Sequence, residues 1–219
     1  MNTDPDSNLN DLAKLYPAVV CDILDEAGYR NQALPPEIRP LTGASRLWGR
    51  AFTVHAARVE SIPEEPYKLE IQAIDALQAG EIMVTDLENY TGCGFWGELM
   101  TTACLHKGVH GAVFSGCTRD VWKLKDLDFP VFGLGYHPAD SKGRIDIDRI
   151  REPIQIGSVT VSQGDYLLGD QDGVVAIPFD IADDIIRLAR EKVAGENTAR
   201  RELQQGVPLG EVFAKHGIL

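Results

Sequence analysis

A mixed α/β fold built as one domain is what this chain predicts, and three observations carry the prediction. Its 219 residues are 44% hydrophobic, which is enough for one sizeable core and fits one domain over 1–219 better than two. Residues 47–133 alternate segments of strand period with segments of helix period. Residues 145–177 then hold short apolar runs, spaced about ten residues or less and separated by Gly-rich turns, as antiparallel hairpins require. A plain doubly wound sheet would keep alternating helix and strand to its end.

Taken in order, the first element is a helix over 8–27. Leu12, Leu15, Val19, Val20, Ile23 and Leu24 form its apolar face, Pro17 breaks or restarts it, and Gly28 stops it. Pro35, Pro36 and Pro40 mark 31–40 as loop. A strand follows at 47–57 with Phe52 and Val54 on one face, then a helix at 65–78 that buries Leu69, Ile71, Ile74 and Leu77 and closes at Gly80. Residues 81–86 form a buried strand that leads to a glycine-rich turn, a helix at 96–107, a turn at Gly108 and a strand at 112–114. A helical turn at 121–127, a strand at 130–133 and a polar loop at 136–144 come next, the loop lying over the site. The remaining strands fall at 145–147, 153–156, 159–161, 166–169 and 174–177. Asp180 caps a last helix that runs to about 205 with Ile185, Ile186, Leu188, Ala189 and Val193 as its stripe. Gly206-Val207-Pro208 ends it, and 209–219 makes a short tail helix. No internal repeat or low-complexity segment interrupts the pattern.

Charge and cysteine usage narrow the function. A net charge of -12 argues against nucleic acid as a partner, since phosphate binding needs a basic surface. No apolar run is long enough to span a bilayer, and residues 1–10 are polar and acidic rather than a signal peptide, so a cytoplasmic protein is expected. Cys21, Cys93, Cys104 and Cys117 lack C-x-x-C spacing and fit reduced thiols.

The chemistry concentrates between Gly92 and Asp120. Gly92, Gly94 and Gly97 let backbone approach a ligand closely, and the positive end of the following helix favours an anion. After the strand at 112–114, Arg119 supplies a planar fork suited to a carboxylate and Asp120 a hard oxygen ligand suited to a divalent cation. Together they describe a site for a small acid held beside a metal.

Each residue also has a plainer reading. Gly92-x-Gly94-x-x-Gly97 matches the dinucleotide fingerprint, but residues 87–91 separate it from the strand end where that motif places its first glycine. Arg119 and Asp120 can form an ordinary surface ion pair. Glu98 complements a helix dipole, and Phe95 and Trp96 suit core or interface packing. His106 and His110 have zinc-site spacing but flank Gly108, His137 suits a solvated loop, and Asp170 with Asp172 suits a turn.

Gly97-Glu98-Leu99-Met100, Gly116-x-x-Arg119-Asp120 and Gly169-Asp170-x-Asp172-Gly173-Val174-Val175-x-Ile177-Pro178 together resemble the RraA-like family, over nearly the whole chain from Val20 onward. That family holds metal-dependent 4-hydroxy-4-methyl-2-oxoglutarate aldolases, which often decarboxylate oxaloacetate, and regulators of RNase E. The resemblance implies a swivelling β/β/α layered fold with mixed parallel and antiparallel sheet, assembled as trimers or pairs of trimers. Cleaving a carbon–carbon bond beside a 2-oxo acid generates an enolate that needs a Schiff-base lysine or a Lewis-acid metal. Lys107, Lys123 and Lys125 lie on polar stretches, which leaves a metal on Asp120, Mg²⁺ by preference and Mn²⁺ as substitute. By resemblance, Glu98 holds water on that metal, while Arg119 and the amides of Gly97, Glu98, Leu99 and Met100 clamp the substrate. Glu196, in Glu-Asn-x-x-Arg200, matches a glutamate that reaches a neighbouring subunit's site. The expected activity is retro-aldol release of pyruvate with oxaloacetate decarboxylation at the same site. A binding regulator of RNase E type, or a lyase for a sugar-derived hydroxy-oxo acid, are the alternatives.

Overall fold

Pro17 lacks the amide that a continuous helix needs. The structure, a computed structural model that describes residues 5–217, accordingly divides the N-terminal stretch into α1 (Pro5–Leu12) and α2 (Pro17–Glu26), with Pro17 in the first turn of the second. The chain continues through β1 (Arg39–Pro40), β2 (Leu47–Arg58), α3 (Lys68–Ala76), β3 (Glu81–Asp86), β4 (Gly94–Trp96), α4 (Glu98–His106), β5 (Gly111–Phe114), β6 (Cys117–Thr118), α5 (Val121–Leu124), β7 (Val131–Gly133) and β8 (Gly135–Tyr136). It ends with β9 (Ile145–Ile150), β10 (Ile154–Ile156), β11 (Val159–Val161), β12 (Tyr166–Asp170), β13 (Gly173–Ile177), α6 (Ala182–Gln204) and α7 (Leu209–His216).

The main sheet is eight-stranded, in the order β1-β7-β5-β3-β2-β12-β13, with β9 added to the far half of β2. Strands β2, β3, β5 and β7 are parallel, and the other pairings are antiparallel. Hairpins β12–β13 and β10–β11 bear out the antiparallel reading of the C-terminal strands. The sheet curls toward a barrel: Leu34 N donates to Val174 O at 2.8 Å and Ala176 N to Gln32 O at 2.9 Å, lacing the lead into β1 to the opposite edge strand. Pairing the edges in this way leaves few backbone groups open to another chain.

A second, three-stranded parallel sheet, β4-β6-β8, grows out of the first. Strand β3 is followed by β4, β5 by β6 and β7 by β8, so each small strand continues from the carboxyl end of a large one. Two sheets with helices packed on them make the mixed α/β, swivelling arrangement that the resemblance implies.

Side-chain alternation feeds separate cores. Phe52, Val54 and Ala56 of β2, Met83 of β3 and Ala112 and Phe114 of β5 face a core shared with α3, α4 and the small sheet. Ala51, Ile82, Val84 and Val113 face the barrel interior. Helices α1, α2 and α6 cover the β12–β13 hairpin through Leu12, Val20, Ile186 and Val175 among others.

The structure corrects several boundaries. Gly94-Phe95-Trp96 is a buried strand rather than part of a turn and helix, because its backbone pairs with a segment twenty residues away that sequence periodicity does not reveal. Asp180 does not cap α6: it lies inside a short 3₁₀ turn (Phe179–Ile181), and Ile181 occupies the capping position. Ile71 and Leu188, assigned to buried stripes, are exposed. Helix α7 ends at His216 with Gly217 in the left-handed region, and Met1–Asp4, Ile218 and Leu219 lie outside the described residues.

Trp96 is fully buried, lies parallel to Phe129 at a ring separation of 6.0 Å, and donates its indole N–H to Thr101 Oγ1 at 2.7 Å. Trp96→Ala therefore removes a large core side chain and one hydrogen bond at once. Urea unfolding is expected to read a loss of about 3–5 kcal/mol.

Candidate active site at the ends of the parallel strands

The small sheet exists because glycine allows it. A Cβ on Gly94 would stand 2.4 Å from His137 O and 2.7 Å from Arg119 Cβ, and one on Gly97 would stand 2.7 Å from Asp120 Oδ2. Gly97 is extended, with φ of −152°, so its requirement is space alone. These glycines admit Arg119 and Asp120 against β4. That contact takes the place of the dinucleotide that the Gly-x-Gly-x-x-Gly spacing suggested as an alternative, and Gly94 sits within a strand where such a motif needs a turn.

Arg119 and Asp120 leave β6 in a fixed direction. Arg119 N donates to Trp96 O at 2.8 Å, and Asp120 adopts φ of 59°, a left-handed conformation that Asp tolerates better than most residues. The Asp120 carboxylate then faces the start of α4: Oδ2 accepts from Glu98 N at 3.3 Å, and Oδ1 lies 3.6 Å from Arg119 Nε. Gly97, at the cap of α4, has no side chain to offer, so beyond Glu98 N the first-turn amides of Leu99 and Met100 have no helical acceptor.

Across the cleft stands Asp140, in the loop predicted to lie over the site. Its Oδ1 accepts from Arg119 Nη1 at 2.9 Å and from Ser141 N at 2.9 Å, and its Oδ2 accepts a short hydrogen bond from the Tyr67 hydroxyl. Burial and that bond push the Tyr67 phenol up to about 12, so it stays a proton donor. Glu70, in the first turn of α3, completes the wall. Burial first, and then the charges of Asp140 and Asp146, push its carboxyl up to about 7 against the lowering effect of Arg119.

The resulting cleft has a volume of about 230 Å³ and is lined by Tyr67, Glu70, Gly97, Leu99, Met100, Arg119, Asp120 and Asp140 among others. A larger hollow of about 330 Å³ lies elsewhere, between α2, α6 and α7. The smaller one gathers the converging charged groups and the strand ends where α/β proteins place their ligands.

The sequence-predicted residues therefore divide. Arg119, Asp120, Gly97, Leu99 and Met100 share the cleft. The Glu98 carboxylate points away from its lining, toward Lys123 Nζ at 3.6 Å and the Thr102 hydroxyl at 3.1 Å. Glu196 lies in the larger hollow, where it accepts a short hydrogen bond from the Tyr16 hydroxyl and stands 3.8 Å from Arg200. Within one chain it is not part of the cleft. Tyr67, Glu70 and Asp140 escaped sequence reasoning. The polar loop around Asp140 was a signal for it, whereas Glu70 read simply as a helix residue.

The donor set at Asp120 suits a hard, largely hydrated cation. Among the described residues no group of three or more His, Cys, Asp or Glu side chains gathers into a metal cage. Asp120 is partly exposed and packs against Gly97 with Oδ2 turned to Glu98 N, so it would offer a hydrated ion a single carboxylate. His110 Nδ1 is engaged by Trp48 O at 2.8 Å, and His137 Nδ1 accepts from Ala139 N. Asp170 accepts from Asp172 N in a turn, as expected. All four cysteines are free, and burial pushes Cys93 up to about 11 and Cys104 to about 12, leaving inert thiols. No helix among the described residues is long and apolar enough to cross a membrane.

Comparison with known proteins converges on one family. The RraA-like (Aldolase/RraA) family model matches residues 17–176. A Halalkalibacterium halodurans protein provisionally named 4-hydroxy-4-methyl-2-oxoglutarate aldolase is 29% identical over 188 residues, covering 86% of this chain and 84% of that one. Protein DlpA of Legionella pneumophila is 27% identical over 207 residues, 90% of this chain but 32% of DlpA, so the chain spans about a third of that relative's length. The solved structure of Streptomyces coelicolor RraAS2, described as an unusual member of the RNase ES inhibitor RraA protein family, superposes with a TM-score of 0.79 at 22% identity, over 91% of this chain and 98% of that one.

Glu70 makes the stability of the fold depend on pH. Its folded value of about 7 lies above the ordinary 4.5, so its contribution is fully present below pH 4.5 and is lost as pH rises through 7. Glu70→Gln abolishes that loss. Denaturant titrations are expected to find the variant equal to the parent near pH 4 and more stable at pH 8, by on the order of 1–3 kcal/mol.

Proposed function

The chain belongs to the RraA-like family, and from that premise and the cleft we propose that it is a divalent-metal-dependent lyase that cleaves a 4-hydroxy-2-oxo acid to pyruvate and decarboxylates oxaloacetate at the same site. The observation that carries this reading is the convergence of Asp120, Arg119 and the uncapped amides of α4 on one cleft sized for a small dicarboxylic acid. The provisional aldolase name of the Halalkalibacterium relative supports the same reaction class.

In this reading Asp120 holds the cation, Mg²⁺ by preference, and when bound that ion supplies Lewis-acid polarisation of the 2-oxo group. The chain's own groups do the rest. The guanidinium of Arg119 keeps Nη2 available for a substrate carboxylate while Nη1 is anchored on Asp140. The Leu99 and Met100 amides, at the positive end of α4, stabilise the oxyanion that develops as the bond breaks. Tyr67 and Ser141 N fix Asp140, which in turn fixes the plane of Arg119. Glu98, on Lys123 in this chain, is a second candidate for ordering water near the ion, and Glu196 acts only if a neighbouring subunit presents it, in a trimer or hexamer.

The description of the Streptomyces structure favours a second reading, docking on an RNase E-type partner. The two separate by assay. Pyruvate formation from oxaloacetate and from 4-hydroxy-4-methyl-2-oxoglutarate is expected to require Mg²⁺ or Mn²⁺ and to stop with EDTA. Asp120→Asn is expected to lower both activities by on the order of 100-fold or more, and Arg119→Lys to raise KM about 10–100-fold. Activity that survives EDTA sinks the metal reading. No turnover of any 2-oxo acid, together with tight binding to an RNase E-type protein, would hand the function to the second reading.

A further inference from the structure

We infer that Glu70 is the proton-transfer residue of the cleft, the acid that protonates C3 of the pyruvate enolate after the carbon–carbon bond breaks. The inference rests on the lyase reading of the cleft and adds to it a group that only the folded chain brings there.

Geometry selects Glu70 by what surrounds it. It lines the cleft from α3, facing the turn that carries Arg119 and Asp120. The charged and titratable groups around it come from every packed element: Tyr67 ahead of α3, Asp140 from the loop after β8, Asp146 from β9, Arg119 from the turn after β6, and Cys93 ahead of β4. Among the described residues its carboxylate makes no ion pair or hydrogen bond, whereas the other candidates are committed. Asp140 is saturated by Arg119, Tyr67 and Ser141 N. Tyr67 already gives its proton to Asp140. Arg119 stays charged, and Asp120 accepts from Glu98 N beside the proposed ion. An unpartnered carboxyl that titrates near 7 is poised to give and take a proton at working pH.

The proton balance closes within the reaction. Breaking C3–C4 leaves the electron pair on C3 as an enolate, and C4 becomes a carbonyl as its hydroxyl loses a proton. The Glu70 O–H bond breaks and a C3–H bond forms, which gives pyruvate and a Glu70 carboxylate. The proton shed by the C4 hydroxyl passes to water during cleavage, and water returns a proton to the Glu70 carboxylate afterwards, restoring the acid. In oxaloacetate decarboxylation CO₂ leaves instead, and solvent supplies the restoring proton.

The test is exchange of the pyruvate methyl protons in D₂O, followed by proton NMR with the Mg²⁺-supplemented protein. The parent is expected to catalyse exchange with an inflection near pH 7. Glu70→Gln is expected to slow it at least about tenfold and to erase the inflection, with pyruvate affinity by calorimetry within about threefold of the parent. Glu70→Asp is expected to restore part of the rate and the inflection, which a purely structural role would not do. Exchange by Glu70→Gln at the parent's rate, or with an unchanged pH profile, overturns the assignment. A parent that neither exchanges pyruvate nor forms it from any 2-oxo acid overturns the lyase reading itself, and the assignment falls with it.

Discussion

The guanidinium of Arg119 is the tie on which the rest of the site depends. Its backbone belongs to the end of the small sheet, its Nη1 reaches Asp140 in the following loop, and its Nε lies beside Asp120 at the foot of α5. Through its backbone bond to Trp96 O and its guanidinium bond to Asp140, this one residue joins β4, the turn after β6 and the loop after β8. Lysine, a single flexible point charge, does not impose the same geometry. The pair is half-exposed, so its contribution to stability is modest, and its importance lies in orientation.

That tie is possible only because the backbone it packs against is bare. Gly94 and Gly97 sit where any Cβ would collide with His137 O, the Arg119 side chain or an Asp120 oxygen. Gly97 brings no capping side chain of its own, so with Glu98 N turned to Asp120 the Leu99 and Met100 amides stay free for an anion. One glycine-rich stretch thus serves packing and ligand access together. It resembles a nucleotide fingerprint because both need close approach of backbone, although here the approaching group belongs to the protein.

Charge balance inside the cleft follows from the same arrangement. Asp120, Asp140 and Glu70 outnumber Arg119 there. Asp140 takes the guanidinium and a phenol, while Glu70, left without a partner and partly buried, holds its proton more firmly than an ordinary glutamate. A cation beside Asp120 and an acidic substrate on Arg119 both fit that uneven field. Family membership fixes the fold, and the partnering of individual carboxylates differentiates their surroundings.

Local pattern alone determined much of this protein. The strand pattern at 47–57, the short buried run at 81–86, the break at Pro17 and the hairpins of 153–177 are short-range signals, and they place β2, β3, α1, α2 and the C-terminal strands because each segment must bury its own apolar residues. Arg119 and Asp120 were legible because their side-chain chemistry is specific whatever the fold. Tertiary structure alone decided the second sheet, since three strands of two or three residues have no periodicity and exist only through pairing with one another. It also decided that Asp140, Tyr67 and Glu70 face Arg119 while the Glu98 side chain turns to Lys123 and Glu196 stays with Tyr16. A carboxylate's role is set by its desolvation and its neighbours, and both are properties of folded space.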